Sequence, residues 1–353
     1  APDIKTFSVG YDIGCEDKLA EIAAQSDFEI KLNELEDAEE FAKWANLPNW
    51  QVKVDAQEFL DIVPTEQYHM DEPLADPAAV ALYFVCNLAS QHLKVVLSGE
   101  GADEIFGGYN IYKEPLEMQW YDKIPFPLRK LIGKIAGALP AHRGLNFLVR
   151  RGKRLEERFI GNAYMFTEKE RQALLKHPTG APAPEALCKP YYDMVRDKDP
   201  VTKMQFVDLN MWMVGDILLK ADKMSMANSL ELRVPFLDRK VFELASHIPT
   251  KCKVNANQTK IAMRGAAEKT IPAKTADKKK LGFPVPVRAW LRDEQYAGIV
   301  RKAFNTPAAE QFFRTKELNA MLDQHISGKR DNWRQIWCIF MFLVWYDEYF
   351  VKR

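Results

Sequence analysis

Two spacings of apolar residues share the first hundred positions of the chain. Short β-branched runs, "TFSVG" (Thr6–Gly10), "QVKV" (Gln51–Val54) and "KVVLS" (Lys94–Ser98), end near turn-forming residues. Helical patterns such as "EDAEEFAKWANL" and "PAAVALYFVCNLASQHL" lie between them. Strands alternating with helices predict an α/β fold, a parallel sheet with helices on both faces. In such sheets ligands bind beyond the carboxyl ends of strands, where Gly10 and Ser98 fall.

After about Lys113 the strand signals nearly vanish. "FPLRKLIGKIAGALP" and "LNFLVRRGKRLEERFIG" read as amphipathic helices with basic faces, and "HPTGAPAPEALCKP" (His177–Pro190) as a Pro-rich surface loop. Two sharp breaks interrupt the helices, "RVPFLD" (Arg233–Asp238), read as a structured corner, and "KKKLGFPVP" (Lys278–Pro286). The pattern divides the chain into an α/β core over residues 1–115 and a mostly helical remainder of the same domain over 116–353.

Composition narrows the function classes. Lys+Arg and Asp+Glu both number 49, so no whole-molecule field points to nucleic acid. The cluster Arg150, Arg151, Lys153, Arg154 is accordingly expected to be a solvated helix face. "WCIFMFLVWY" (Trp337–Tyr346) is about half of the ~20 residues needed to span a bilayer, and reads as a buried helix. Five cysteines (Cys15, Cys86, Cys188, Cys252, Cys338) without CxxC spacing read as reduced thiols. With no basic-then-apolar start, the expectation is a cytoplasmic protein with neither membrane nor nucleic acid as partner.

The densest chemistry lies in "VVLSGEGADEIFGGYN" (Val95–Asn110). Gly99 and Gly101 permit backbone angles closed to other residues, and a bare turn between strand and helix offers amides to anionic oxygens. Ser98 adds a hydroxyl. Glu100 and Asp103 would repel a naked phosphate, but a Mg2+ between Asp103 and phosphate oxygens removes that conflict and leaves Glu100 to act as a base. The turn alone is equally a tight connection whose Asp103 and Glu104 favour the helix start. It is neither GxxxxGK[ST] nor GxGxxG.

"LSGEGADEIFGGY" resembles a signature of the asparagine synthetase family, glutamine-dependent amidotransferases whose synthetase domain is a pyrophosphate-releasing ATPase. "HMDEPLADPAAV" (His69–Val80), "GDILLKADKMSMANSLELRVPFLD" (Gly215–Asp238) and "KKKLGFPVP" are similar to further family motifs in the same order. The resemblance implies an adenine-nucleotide α-hydrolase-like (PP-loop ATPase) core that uses ATP and Mg2+. It implies that Ser98 and Gly99 line the ATP site, with Val9 touching adenine through its backbone. Asp103 would be a Mg2+ ligand, and Glu100 would assist attack by ammonia. Lys280 would hold pyrophosphate, a task suited to a mobile point charge. Glu104, Asp216 and Lys220 are candidates for binding the acid substrate, although Asp216 and Lys220 equally suit a structural ion pair.

The implied reaction joins ATP to the side-chain carboxylate of aspartate, releasing pyrophosphate. Ammonia, normally delivered from glutamine by a glutaminase domain or chain, then displaces AMP from the β-aspartyl-AMP. The family's amino-terminal cysteine nucleophile and its SGGxDSS loop are not in this sequence, so it reads as the carboxyl-terminal portion of a longer protein, with a homodimer admitted. The segment 13–44 is longer than the family usually places there and reads as an exposed helical insertion. Two other readings are a related amidotransferase or lactam synthetase acting on another acid, and a non-catalytic scaffold of the same fold.

Overall fold

In the computed structural model, which describes residues 4–14, 17, 22, 34–139, 144–278, 282 and 284–352, strand β1 (Thr6–Tyr11) leads by way of helix α1 (Leu35–Trp44) to strand β2 (Asn49–Val54). The two strands pair parallel, Thr6 opposite Asn49 and Tyr11 opposite Val54. Helix α2 (Ala56–Met70) starts on a reciprocal cap written in the sequence as D-x-x-E. The Asp55 carboxylate accepts from the Glu58 amide, and the Glu58 carboxylate accepts from the Asp55 amide. Helix α3 (Ala78–Ser90) opens on the buried run Ala78–Ala81, small side chains that let it pack closely on β1 and β2. It delivers the chain to strand β3 (Val95–Leu97), and the glycine turn then leads into the short helix α4 (Ala102–Phe106).

The remainder is mostly helical, as the loss of strand signals predicts. Helices α5 (Phe126–Ala138) and α6 (Leu145–Arg151) pack on one another, followed by α7 (Pro184–Met194) and α8 (Pro200–Asn210). A wider π-helical turn over Met213–Ile217 runs into α9 (Leu218–Ala227). Beyond strand β4 (Glu231–Arg233) come α10 (Arg239–His247) and, near the carboxyl end, α11 (Trp333–Tyr346). The main core gathers α2 and α11 around Phe59, whose ring centroid lies 5.1 Å from that of Trp290 and 6.0 Å from that of Trp337. "WCIFMFLVWY" lies in α11 with Trp337, Ile339, Phe340, Met341 and Leu343 buried. Among the described residues no helix is long and apolar enough to cross a membrane. Cys86, Cys188, Cys252 and Cys338 are free thiols, while Cys15 lies outside the described residues.

The structure departs from the sequence reading at four places. The strands form two separate parallel pairs rather than one sheet: β4 pairs with β3, Val95 opposite Glu231 and Leu97 opposite Arg233. Three residues with one apolar side chain give no strand pattern, which is why β4 was invisible within a helical region. An apolar cavity of about 680 Å³, lined by Phe7, Val85, Cys86, Val95, Leu97 and Leu230 among others, separates the two pairs. Second, Arg151 is not solvated. It is buried, ion-paired to Asp122 at 2.8 Å, and donates to the carbonyls of Glu114 and Glu117. Buried polar demand, not solvent, places that arginine. Third, the same stretch is not one helix. It breaks at Gly152 and resumes as a single turn over Leu155–Arg158. Fourth, the loop expected to reach Pro190 stops at Ala183, because Pro184 occupies the first helical position of α7, where a missing amide costs nothing.

Candidate active site

The glycine turn is held from behind by the corner that follows β4. The Ser98 amide donates to the Arg233 carbonyl at 2.9 Å, extending the β3–β4 pairing to the edge of the turn. Gly101 has φ +89°, and a Cβ there would stand 2.4 Å from Leu237 Cδ2, so Leu237 of "RVPFLD" fills the space a side chain would need. Asp238 then accepts from the Lys240 amide at 2.9 Å and starts α10. Gly99 is different: it is exposed, and nothing lies within 4 Å of where its Cβ would be. Glu100 is half-buried beside it.

Successive residues of α4 then face different surroundings, as a helical step of about 100° requires. Asp103 pairs with Lys260, Oδ1 to Nζ 2.8 Å, on a cavity of about 350 Å³ that Glu34, Arg264, Lys278 and Gly282 also line. Glu104 is buried, accepts from the Tyr109 hydroxyl at 2.5 Å, and is tied to α8 through its carbonyl, which accepts from Gln205 Nε2. Tyr109 in turn accepts from Trp212 Nε1 at 3.1 Å. Burial and the Glu104 carboxylate hold the Tyr109 phenol far above its ordinary range, so it remains a donor.

Asp216 sits in the π-helical turn, and Lys220 on α9 bridges it, at 2.9 Å, to Asp76 at the start of α3. Both Asp216 and Lys220 are buried. Burial, then the charge of Asp76, pushes the Asp216 carboxyl up to about 7. For Lys220, burial favours the neutral amine, but Asp76 and Asp216 together outweigh it and raise its pKa, so the ammonium stays charged. Asp76, Asp216, Tyr109 and Trp212 line a further cavity of about 560 Å³.

The sequence-predicted residues thus divide. Ser98, Gly99, Glu100, Asp103 and Glu104 come together by contiguity. Asp216 and Lys220 join through Asp76, and the ion-pair alternative is present while both acids also face, or lie beside, a cavity. Val9 lies two residues before the end of β1, with its side chain packed on the main core. Lys279, Lys280 and Phe283 lie outside the described residues. Lys278, expected to be solvated, is instead paired with Glu34 at 2.5 Å and Asp37 at 2.9 Å. Most of the 13–44 insertion also lies outside the described residues, but its last part is α1, and that helix supplies Asp37. Asp76 and Lys260 carried no sequence signal as site residues. Asp76 reads as a helix-start acid, and its Oδ1 does accept from the Ala78 amide at 3.0 Å.

Comparison with known proteins follows this geometry. Residues 1–347 match the family model described as Asparagine synthase. The chain is 41% identical over its full length to "Asparagine synthetase [glutamine-hydrolyzing] 1" of Bacillus subtilis (strain 168), covering 53% of that protein. It is 44% identical to "Putative asparagine synthetase [glutamine-hydrolyzing]" of Mycobacterium bovis over 83% of this chain and 45% of that one. A weaker match, 23% over 79% of this chain and 43% of the other, is to "Amidase chyE" of Penicillium rubens. The chain spans about half the length of the curated relatives it matches.

Proposed function

The chain belongs to the asparagine synthase family, and we propose that it carries the ATP-dependent step that converts aspartate to asparagine. The observation that carries this reading is the turn itself. A strand end with an open Gly99 is followed at once by Glu100 and then by Asp103 among the cations Lys260, Arg264 and Lys278. An open backbone suits phosphate oxygens, and cations beyond it suit a leaving pyrophosphate. The names of the relatives support aspartate as the acid and glutamine as the ammonia source.

In this reading residues 1–115 form a PP-loop-type nucleotide core, with Ser98, Gly99 and the backbone of Val9 on ATP, and residues 116–353 form the helical remainder that closes the acid site. The aspartate carboxylate oxygen attacks the α-phosphorus of ATP, and pyrophosphate leaves toward the lysine loop, Lys280 included. Ammonia then attacks the acyl carbon of the aspartyl adenylate, Glu100 accepts the surplus proton, and AMP departs with asparagine formed. Among the described residues no cluster of three or more His, Cys, Asp or Glu could hold a metal by itself. A single carboxylate completed by nucleotide oxygens is an ordinary Mg2+ arrangement, so Asp103 fits as the protein donor, and the ion would supply charge neutralisation on the phosphates. Ammonia would reach the site from a glutaminase domain or chain.

The test is AMP release from Mg-ATP with ammonia, with and without aspartate. Aspartate-dependent AMP is expected, and Glu100→Gln should lower the ammonia-dependent rate by about 10²–10⁴, the usual worth of a positioned base. Undiminished turnover in that variant would remove Glu100 from the role of base. A chain that never makes AMP in response to aspartate would sink the whole reading.

A further inference from the structure

We propose that the 560 Å³ cavity beside α4 is built to hold the ammonium and carboxylate groups of a free α-amino acid, with Asp76 and Asp216 taking the ammonium and Arg334 and Trp337 the carboxylate. The proposal rests on the reading of the chain as an amide-forming enzyme and deepens it, because it selects among acid acceptors: an amino acid fits, whereas a sugar acid, a plain diacid or an N-acylated acid does not.

The acidic end comes from two separate elements. Asp76 at the start of α3 and Asp216 in the π-helical turn both pair with Lys220, which is 4% exposed. One lysine between two carboxylates leaves a surplus negative charge in a buried place, an arrangement that is costly unless a further cation completes it. Trp212 lines the same cavity, its ring centroid 5.8 Å from Lys220 Nζ, and adds a π face that favours a second ammonium.

A third element supplies the complement. Trp337 on α11 lines the cavity and is 1% exposed, yet its indole N–H has no acceptor. An indole can only donate, so the partner it lacks is an acceptor such as a carboxylate oxygen. Arg334, one helical turn earlier on the cavity rim, lies over the Trp333 ring at 5.3 Å and has no acidic partner among the described residues. A guanidinium fork is the side chain best matched to a carboxylate. Two acids around one lysine on one set of elements, with a cation and an unanswered donor on another, are complementary to a zwitterion.

The cavity also adjoins the nucleotide turn. Tyr109 lines it and donates to Glu104 on α4, and the charge of Asp76 acts on Tyr11 at the carboxyl end of β1. An amino acid anchored there by its backbone groups points its remaining carboxylate at neighbouring structure rather than at bulk water.

Calorimetric titration of the full chain, with and without a non-hydrolysable Mg-ATP analogue, separates the possibilities using L-aspartate, succinate and N-acetyl-L-aspartate. L-Aspartate should bind at least about tenfold more tightly than the other two, the loss expected when a charged hydrogen-bonding group is missing from a buried site. Asp76→Asn should lower L-aspartate to the succinate level, and Arg334→Gln should weaken all three ligands alike. Equal affinity for L-aspartate and succinate in the unaltered chain, or no binding of L-aspartate, overturns the proposal without any variant, so a folding defect cannot protect it. Preference for the ammonium without aspartate-dependent AMP release would uphold this cavity and discard the amidation reading. AMP release without the preference would do the reverse.

Discussion

Two glycines in one turn have opposite reasons to be glycine. At Gly101 the backbone is left-handed and Leu237 occupies the place of a side chain, so the fold itself demands the residue. At Gly99 neither condition holds: no positive φ is present and the Cβ position is empty. Gly101→Ala should therefore destabilise the chain by about 1–3 kcal/mol, the range for backbone strain of this kind. Trimming Leu237 to Ala in the same chain should recover the steric part and leave the φ part. Gly99→Ala should leave the melting temperature alone and weaken ATP binding. Denaturant titration beside nucleotide titration checks both, and a Gly99 variant that unfolds early while binding ATP normally would invert the assignment. Residues that act by contiguity, Ser98 to Glu104, were legible for that reason. Asp76 was not: the pair it makes with Lys220 spans 144 positions, and nothing local marks it.

Among the elements, α1 has the least expected part. Its Asp37, with Glu34 just before it, holds Lys278, and Glu40 holds Lys274 at 2.5 Å, so an acidic helix from an insertion grips the approach to the lysine loop. Each pair is exposed or half-exposed and individually weak. Together they still set where that approach rests. A chain carrying both Glu34→Gln and Asp37→Asn should show faster amide hydrogen exchange over 274–278 with little change in global stability, and 0.5 M salt should mimic it, since the screening length there falls to about 4 Å. Exchange unchanged by both treatments would leave α1 without a hold on the loop. The sequence announced α1 through its helical spacing, and β1 to β3 through β-branched runs, because those patterns are local. Strand β4 is three residues defined by a partner more than a hundred positions away, and Lys278 is placed by acids more than two hundred positions away. Non-local partners of that kind leave no periodicity to read.

Over the whole molecule, a formal charge of zero conceals where the acids are. Glu66, Asp208 and Asp216 are buried, and burial, in each case the largest cause, pushes their carboxyls up to about 8, about 7 and about 7. Asp208 is partly compensated by the Tyr112 hydroxyl, which donates to it at 2.6 Å, while Glu66 gains only Gln67 and feels the charge of Asp76. Between the ordinary carboxylate range near 4 and these raised values, the folded chain holds protons that the unfolded chain has released. Stability must then fall as pH rises through that window, by up to about 1.4 kcal/mol per pH unit for each group, and stay lower above it. The opposite trend, from acids such as Asp199 whose pKa is lowered because hydrogen bonds from Thr202, Thr250 and Val201 outweigh its burial, belongs to more acidic solution. Thermal unfolding should therefore peak on the acid side of neutrality and decline toward pH 8. Glu66→Gln, which keeps the shape and the Gln67 contact but cannot ionise, should flatten that decline and raise the melting temperature most at pH 8 and above. A melting temperature that climbs from pH 5 to pH 8, or a Glu66→Gln chain with the parent's slope, would mean that these carboxyls are solvated or paired in the folded protein after all.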